Sequence, residues 1–171
     1  PNWTWCRLGS VANWNSGSTP NRNNKAYYDN GTIPWVKTGD LKDDFINIIP
    51  ESITEKALAE TSLKLNKVGS VLIAMYGATI GKIGILNIES TTNQACCAGY
   101  CHKNLYNMFL FYFLLSQRDN FKKRGEGGAQ PNISKEKIIE TLIPLPPIEE
   151  QKRIVDFITR TNEQLDSMLN K

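Results

Sequence analysis

Two clusters of cationic and polar side chains carry the most distinctive chemistry in this 171-residue chain. The first lies in a segment rich in asparagine, serine and glycine, where Arg22 and Lys25 stand beside two tyrosines. The second, Arg118 to Arg124, has four cations and a single acidic residue, Asp119. Lysine and arginine neutralise phosphates, and asparagine, glutamine and arginine form paired hydrogen bonds with base edges. Together the clusters indicate nucleic-acid binding, although a solvated loop and a helix dipole that favours cations would explain them separately.

Catalytic chemistry has few candidates. His102 is the only histidine, and its neighbours do not suggest a nucleophile–base triad. The segment Gly77 to Ile83 resembles a phosphate-binding loop, but three residues separate its glycines where that motif needs four, and an isoleucine follows its lysine. A tight turn between two strands explains these glycines better. We therefore expect a binding protein with no catalytic residues.

The four cysteines, Cys6, Cys96, Cys97 and Cys101, fit neither a disulfide framework nor the ligand spacing of a zinc site. We expect them to be reduced, with no bound metal, in a cytoplasmic protein. No apolar run approaches the roughly 20 residues that span a bilayer. The chain begins at Pro1 without a methionine, so we expect it to be a piece of a longer protein.

The elements that must position these side chains combine several strands with separated helices. We predict strands within residues 33–41, 70–76, 81–87 and 92–100, a loop over residues 13–30, and an apolar helix over residues 105–123. Ser134 is placed to cap a short helix that follows it. This pattern predicts an α+β, or mixed α/β, globular domain over residues 1–146 and a separate helix over residues 147–171.

The final helix has the features of a projecting module. Pro146 and Pro147 stiffen its entry, and two glutamates occupy the first turn, where the helix dipole favours negative charge. An a/d seam follows at alternating spacings of three and four, and it predicts a coiled-coil-forming helix that pairs with a like helix. The seam consists of Val155, Ile158, Asn162, Leu165 and Leu169. A helix packed back on its own domain remains the alternative.

Several short motifs span the whole chain. They are Trp3 to Gly9, Gly17 to Pro20, Ile33 to Val36, Gly69 to Ile73, Gly81 to Gly84, Asn93-Gln94, Gly128 to Ser134 and Pro144 to Val155. Each is weak alone, but their order and spacing together are specific. In this combination the chain resembles a target recognition domain of the specificity subunit of type I restriction–modification enzymes.

This resemblance implies a defined role. Such subunits typically carry two recognition domains separated by long helices that pair as an antiparallel coiled coil, and each domain reads one half of a bipartite DNA site. The helices set the gap and dock two methyltransferase (modification) subunits, and restriction subunits join to form an ATP-dependent nuclease. The chain would then need no cofactor, because S-adenosylmethionine and ATP belong to partner subunits. With one domain and one helix, it would be a fragment, or a half-subunit whose homodimer reads a palindromic, interrupted site.

We predict that loop side chains enter the major groove while lysine and arginine contact phosphates. The predicted DNA-binding residues are Thr19, Asn21, Arg22, Lys25, Tyr27, Lys37, Tyr76, Thr79, Lys82, Lys122, Lys123 and Arg124. Gln130 and Asn132 are expected to hold their loop against the last helix. Two alternatives remain: the DNA-recognition portion of a fused methyltransferase or restriction enzyme, and a helical assembly adaptor that does not touch DNA.

Overall fold

A five-stranded mixed sheet forms the centre of the fold. The computed structural model describes residues 2–125 and 132–169. The strands are β1 (Thr4–Arg7), β2 (Ala12–Ser16), β3 (Ile33–Val36), β4 (Asp44–Ile46), β5 (Ser52–Ile53), β6 (Val71–Ala74), β7 (Ile83–Leu86), β8 (Thr91–Thr92), β9 (Cys96–Cys101) and β10 (Leu142–Leu145). The helices are α1 (Leu8–Val11), α2 (Glu55–Glu60), α3 (Asn107–Ser116), α4 (Arg118–Gly125), α5 (Lys135–Ile139) and α6 (Ile148–Leu169). This mixture of sheets and separated helices confirms the predicted α+β class.

The central sheet has the strand order β2-β9-β6-β7-β4, and the β4–β7 pair is parallel while the others are antiparallel. Strands β6 and β7 are buried along their whole length, as expected of apolar strands covered on both faces. One face packs under α3, where Leu110 and Leu114 join Ile73 and Ile83 in the main core. A smaller sheet, β5-β3-β8, lies beside this one and contains a parallel pairing of β3 with β8.

The helix predicted over residues 105–123 is two helices, α3 and α4, separated by Gln117. Two tertiary contacts accompany this interruption. The Arg118 Nε donates to the Gly81 carbonyl oxygen at 2.9 Å, and Phe121 lies in the core with no exposed surface. The start of α4 is thus bonded to the turn before β7, while an aromatic side chain one turn later is buried.

The loop predicted over residues 13–30 begins with a strand. Strand β2 pairs with β9 along its whole length, and Trp14 lies opposite Gly99. A Cβ atom at Gly99 would stand 2.7 Å from the Trp14 ring, so the glycine makes room for the indole. Because the partner strand is distant in sequence, the polar local pattern of β2 does not reveal this pairing.

The first strand of the chain pairs with the strand that leads into the last helix. Strands β1 and β10 form an antiparallel ribbon, and α6 begins directly after Pro147, whose carbonyl accepts from the N–H groups of Glu150 and Gln151 at 2.9 and 3.1 Å. Helix α6 then runs beside α3, with the Tyr112 and Thr159 hydroxyls 3.3 Å apart. Within the described residues, the helices are too short or too polar to cross a membrane.

Candidate nucleic-acid interface

Loops from separate parts of the chain converge at one end of the central sheet. This end, which we call the loop edge, comprises residues 17–24, 37–43, 75–82 and 93–95. Backbone hydrogen bonds join these loops: the Met75 N–H donates to the Ala95 carbonyl at 2.8 Å, and the Asn93 N–H donates to the Val36 carbonyl at 2.9 Å. The antiparallel register places the end of β6 beside the starts of β7 and β9. The loop edge therefore holds its exposed side chains on a sheet framework.

The first loop is anchored tightly where it leaves β2. A Cβ atom at Gly17 would lie 1.8 Å from the Thr92 carbonyl oxygen, so the backbone there passes too close for any side chain. The Ser18 carbonyl accepts from the Trp35 indole at 3.1 Å, and the next residue, Thr19, shares a side-chain hydrogen bond with Gln94. Thr19 thus sits on an exposed, fixed part of the loop.

Arg22 rests on two aromatic rings. Its guanidinium carbon lies 4.8 Å from the Tyr28 ring centroid and 4.5 Å from that of Trp35, within the range of cation–π attraction. An Arg22 nitrogen also lies 2.9 Å from a Glu51 oxygen, and the Lys37 ammonium bonds to the other oxygen of that carboxylate. The Lys37 hydrogen bond, together with Arg22, holds the pKa of Glu51 below its usual range despite partial burial.

A second carboxylate organises the other side of the loop edge. Burial raises the pKa of Asp43, but the Ile83 N–H and the cations of Lys82 and Arg118 outweigh burial and hold it below its usual range. The Ile83 N–H donates to Asp43 at 3.0 Å, the Lys82 ammonium lies 3.2 Å away, and Arg118 completes the cluster. Asp43 adopts a left-handed φ of 64°, which asparagine and aspartate tolerate better than most residues.

The basic end of α4 approaches the turn between β6 and β7. Tyr76 pairs with Asn132 in an isolated antiparallel bridge, and the Asn132 N–H donates to the Gly125 carbonyl at 3.3 Å. Tyr76 is 41% exposed, and the Thr79 hydroxyl donates to its carbonyl at 3.0 Å. Asn132 therefore holds its segment against this turn rather than against the last helix, and Gln130 lies outside the described residues.

The three cations at the end of α4 differ in their surroundings. All three side chains are exposed to solvent. Arg124 also donates to the Thr141 hydroxyl at 3.1 Å and to the Lys137 carbonyl at 3.2 Å. The lysines are thus the ones placed to meet a phosphate, while Arg124 joins α4 to α5.

The remaining predicted DNA contacts lie apart from the loop edge or shape it. Tyr27 donates to Glu60 at 3.0 Å, which raises its pKa, and the turn holding Lys25 packs beside α2. The Asn21 side chain accepts from the Asn23 N–H at 3.0 Å and so forms part of the loop itself. The structure brings Thr19, Arg22, Lys37, Tyr76, Thr79 and Lys82 together at the loop edge.

The sequence did not indicate the side chains that hold these residues in place. Glu51, Asp43 and Arg118 lie far from their partners along the chain. No local pattern marks the two carboxylates, and Arg118 was noted only as a member of the cationic cluster over residues 118–124. Gln94 stood out only as part of a family motif. Their roles appear only when the β-strands bring their loops together.

Two thiols in β9, those of Cys97 and Cys101, are buried or partly buried. Burial raises the pKa of the Cys97 and Cys101 thiols to about 12, so both stay protonated and poorly nucleophilic at neutral pH. Within residues 2–125 and 132–169, no group of three or more histidine, cysteine or acidic side chains could hold a metal ion.

The first half of α6 belongs to the body of the domain. Gln151 is fully buried, accepts from the Tyr106 N–H at 2.8 Å, and donates to the Asn104 and Pro146 carbonyls at 2.9 and 2.8 Å. Val155, placed in the predicted seam, is 4% exposed and lies in the domain's own core. Val155 is therefore not available to a partner helix in this arrangement.

The second half of α6 leaves the body. Ile158 is half-buried, whereas Asn162, Leu165 and Leu169 are exposed, the two leucines by 52% and 83%. Phe157, at 70%, adds to this uncovered apolar surface. The predicted seam is thus divided between contact with the domain and exposure to solvent.

The whole chain matches a family of known proteins. The family model described as "Type I restriction modification DNA specificity domain" matches residues 1–171. The chain is similar to the Type I restriction enzyme EcoR124I/EcoR124II specificity subunit of Escherichia coli, with 27% identity over 171 residues that cover 97% of this chain and 41% of that protein. It is also similar to the MjaIX specificity subunit of Methanocaldococcus jannaschii, with 30% identity over 165 residues that cover 94% of this chain and 37% of that protein.

A solved structure shares the fold. The crystal structure of the HsdS subunit from Thermoanaerobacter tengcongensis has a TM-score of 0.79 and 24% identity, and the match covers 99% of this chain and 40% of that one. The chain therefore spans about two fifths of the length of the curated relatives and of this structure.

Proposed function

The chain belongs to the family of type I restriction modification DNA specificity domains, and on that premise we propose that it recognises double-stranded DNA by sequence and reads one half of a bipartite target. The length of the match supports a half: the curated relatives are more than twice as long as the region they share with this chain. Recognition rather than catalysis is the role that this family membership assigns to the chain.

The observation that carries this proposal is the composition of the loop edge. Loops from four parts of the chain present cations, a hydroxyl and amides from one end of a rigid sheet. Cations on phosphates set the register of a protein on DNA, and short polar side chains then reach base edges. Thr19 and Gln94 are candidates for base contacts, because both are exposed and each holds the other in place.

The test measures binding of fluorescent random-sequence duplexes by the chain in complex with its modification subunit, across a range of salt concentrations. Replacing Lys122 and Lys123 together with glutamine should weaken binding and lower the slope of log affinity against log salt by about 1.8, since each lost phosphate contact contributes about 0.9.

The matched control replaces Lys67 and Lys103 with glutamine at the opposite end of the sheet, beside the start of β6 and the end of β9. It removes the same charge and should leave the slope unchanged. Failure of the wild-type complex to bind any duplex at low salt would contradict the proposal and favour an assembly adaptor.

The exposed half of α6 supports a proposed spacer and partner surface. Leu165 and Leu169 leave an apolar surface uncovered, and a like helix from a second recognition half, or from a second copy of the chain, would cover it. The buried half fixes the direction in which the spacer leaves the domain, because Gln151 and Val155 hold it to the body. A fixed direction is what a ruler between two half-sites needs.

The assembly that we propose follows from the same premise. Modification subunits bind the specificity subunit and supply S-adenosylmethionine chemistry, and restriction subunits supply ATP-dependent cleavage, so this chain needs neither cofactor. It works beside these partners on DNA in the cytoplasm.

A further inference from the structure

Arg22 and Lys37 converge on one carboxylate. Arg22 comes from the loop after β2 and Lys37 from the end of β3, yet each bonds to a different oxygen of Glu51. The three side chains are 50%, 36% and 33% exposed, so the pair faces solvent. Two cations that hold two oxygens of one anion at a surface have the arrangement that binds a phosphate.

Contacts that do not involve Glu51 hold the Arg22 guanidinium and the backbone of Lys37. Arg22 is held over Tyr28 and Trp35, and both rings are fixed: the Tyr28 hydroxyl donates to the Pro20 carbonyl at 2.6 Å, and Trp35 is 1% exposed. The backbone N–H of Lys37 donates to the Asp40 carboxylate at 2.8 Å, which fixes the base of that side chain. The Arg22 guanidinium would therefore stay over its two rings if the carboxylate left, and the backbone of Lys37 would stay fixed beside it.

Glu51 is attached more loosely. Its backbone carbonyl accepts from the Trp35 N–H at 2.9 Å, but within the described residues its carboxylate bonds only to Arg22 and Lys37. Asp43 provides the contrast, because it also accepts a backbone N–H, from Ile83, and has a left-handed backbone. Rotation of one partly exposed side chain would free the Arg22–Lys37 pair, whereas Asp43 is part of the framework.

We propose that in the free chain Glu51 occupies the position of a DNA backbone phosphate, and that DNA binding exchanges this carboxylate for a phosphate on the Arg22–Lys37 pair. The inference rests on the proposed DNA-binding function and adds a regulatory element to it. Since Glu51 competes with phosphates whatever the base sequence, it lowers affinity for all DNA alike. It thereby limits the time that the protein spends on non-specific sites, where phosphate contacts supply essentially all the binding.

The test uses the chain with its modification subunit and a fluorescent random-sequence duplex. Glu51→Gln keeps the shape of the side chain and removes its charge. We expect affinity at low salt to rise about three- to tenfold and the salt slope to steepen, because no charged carboxylate is then released to take up a cation when the Arg22–Lys37 pair meets a phosphate. Should the glutamine variant not fold, Glu51→Ala carries the same expectation.

Two controls separate exchange at this site from other effects. Glu149→Gln removes a carboxylate that is likewise paired with a lysine, 2.9 Å away, at the start of α6, and it should leave both affinity and slope unchanged. In a chain that already carries Arg22→Gln and Lys37→Gln, Glu51→Gln should give no gain.

The outcomes are distinct. Unchanged or weaker binding by Glu51→Gln would overturn the proposal and make Glu51 a support for the two cations. An equal gain in affinity from Glu149→Gln, or a gain from Glu51→Gln in the chain that lacks Arg22 and Lys37, would show that only the net charge matters. Either result would also overturn the proposal. Failure of the wild-type complex to bind DNA at low salt would instead reject the DNA-binding function itself.

Discussion

Gln151 should be among the most sensitive positions outside the apolar core. The variant Gln151→Met keeps the length of the side chain and removes its polar atoms, leaving three backbone groups without partners. Leaving the buried Pro146 carbonyl without a partner should cost about 1–3 kcal/mol. Leaving the partly buried Tyr106 N–H and Asn104 carbonyl without partners should cost about 0.5–1.5 kcal/mol each. We expect a loss of about 3 kcal/mol in the free energy of unfolding.

Urea denaturation followed by tryptophan fluorescence measures this loss, as a lower midpoint with an unchanged m-value. Hydrogen exchange should also show faster opening at the Tyr106 amide, which loses its acceptor. Gln164→Met, on the exposed part of the same helix, is the matched control and should change stability by less than about 0.5 kcal/mol. If the free energy of unfolding of Gln151→Met lies within about 0.5 kcal/mol of the wild-type value, the reasoning that this side chain fixes α6 to the body is wrong.

Two further predictions address the sheet and the exposed helix. Gly99→Ala should destabilise the chain by about 1–3 kcal/mol in thermal denaturation, because the new methyl group would meet the Trp14 ring at 2.7 Å. Gly39→Ala is the control and should have little effect, because no atom lies within 4 Å of the added methyl group. Equal effects of the two variants would contradict the close packing at Gly99. Leu165→Lys should leave the stability of the single chain unchanged and weaken its association through α6 about 10- to 100-fold in sedimentation equilibrium, as expected for loss of a buried leucine. Gln164→Lys provides the charge-matched comparison, and equal weakening by both would refute the proposed seam.

Local chemistry made several elements predictable. Ser134 caps α5 by accepting from the Lys137 N–H at 3.3 Å, and the glycines between β6 and β7 form a tight turn, with Gly77 and Gly81 at positive φ, rather than a phosphate-binding loop. The last helix begins directly after its proline pair. In each case the deciding interactions lie within a few residues along the chain.

Other features were hidden because their partners are remote in sequence. Strand β2 depends on room that Gly99 leaves for an indole, and Arg118, directly after the break at Gln117, bonds to Gly81 and Asp43. Among the predicted DNA contacts, Arg124 bonds within its own domain and Tyr27 bonds to α2. Residue type marked these side chains as candidates, but it did not show what already engages them.

The sequence by itself determined the kind of protein this is: an α+β domain ending in a long helix, with family motifs spread along its length and an excess of cations suited to phosphate. Only the tertiary structure decided which cations share a surface and which carboxylates hold them. It also divided the last helix into a buried half and an exposed half. The physical reason is range, because caps, turns and helix starts are set by neighbouring residues, whereas ion pairs such as those of Glu51 and Asp43 form only after strand pairing brings distant loops together.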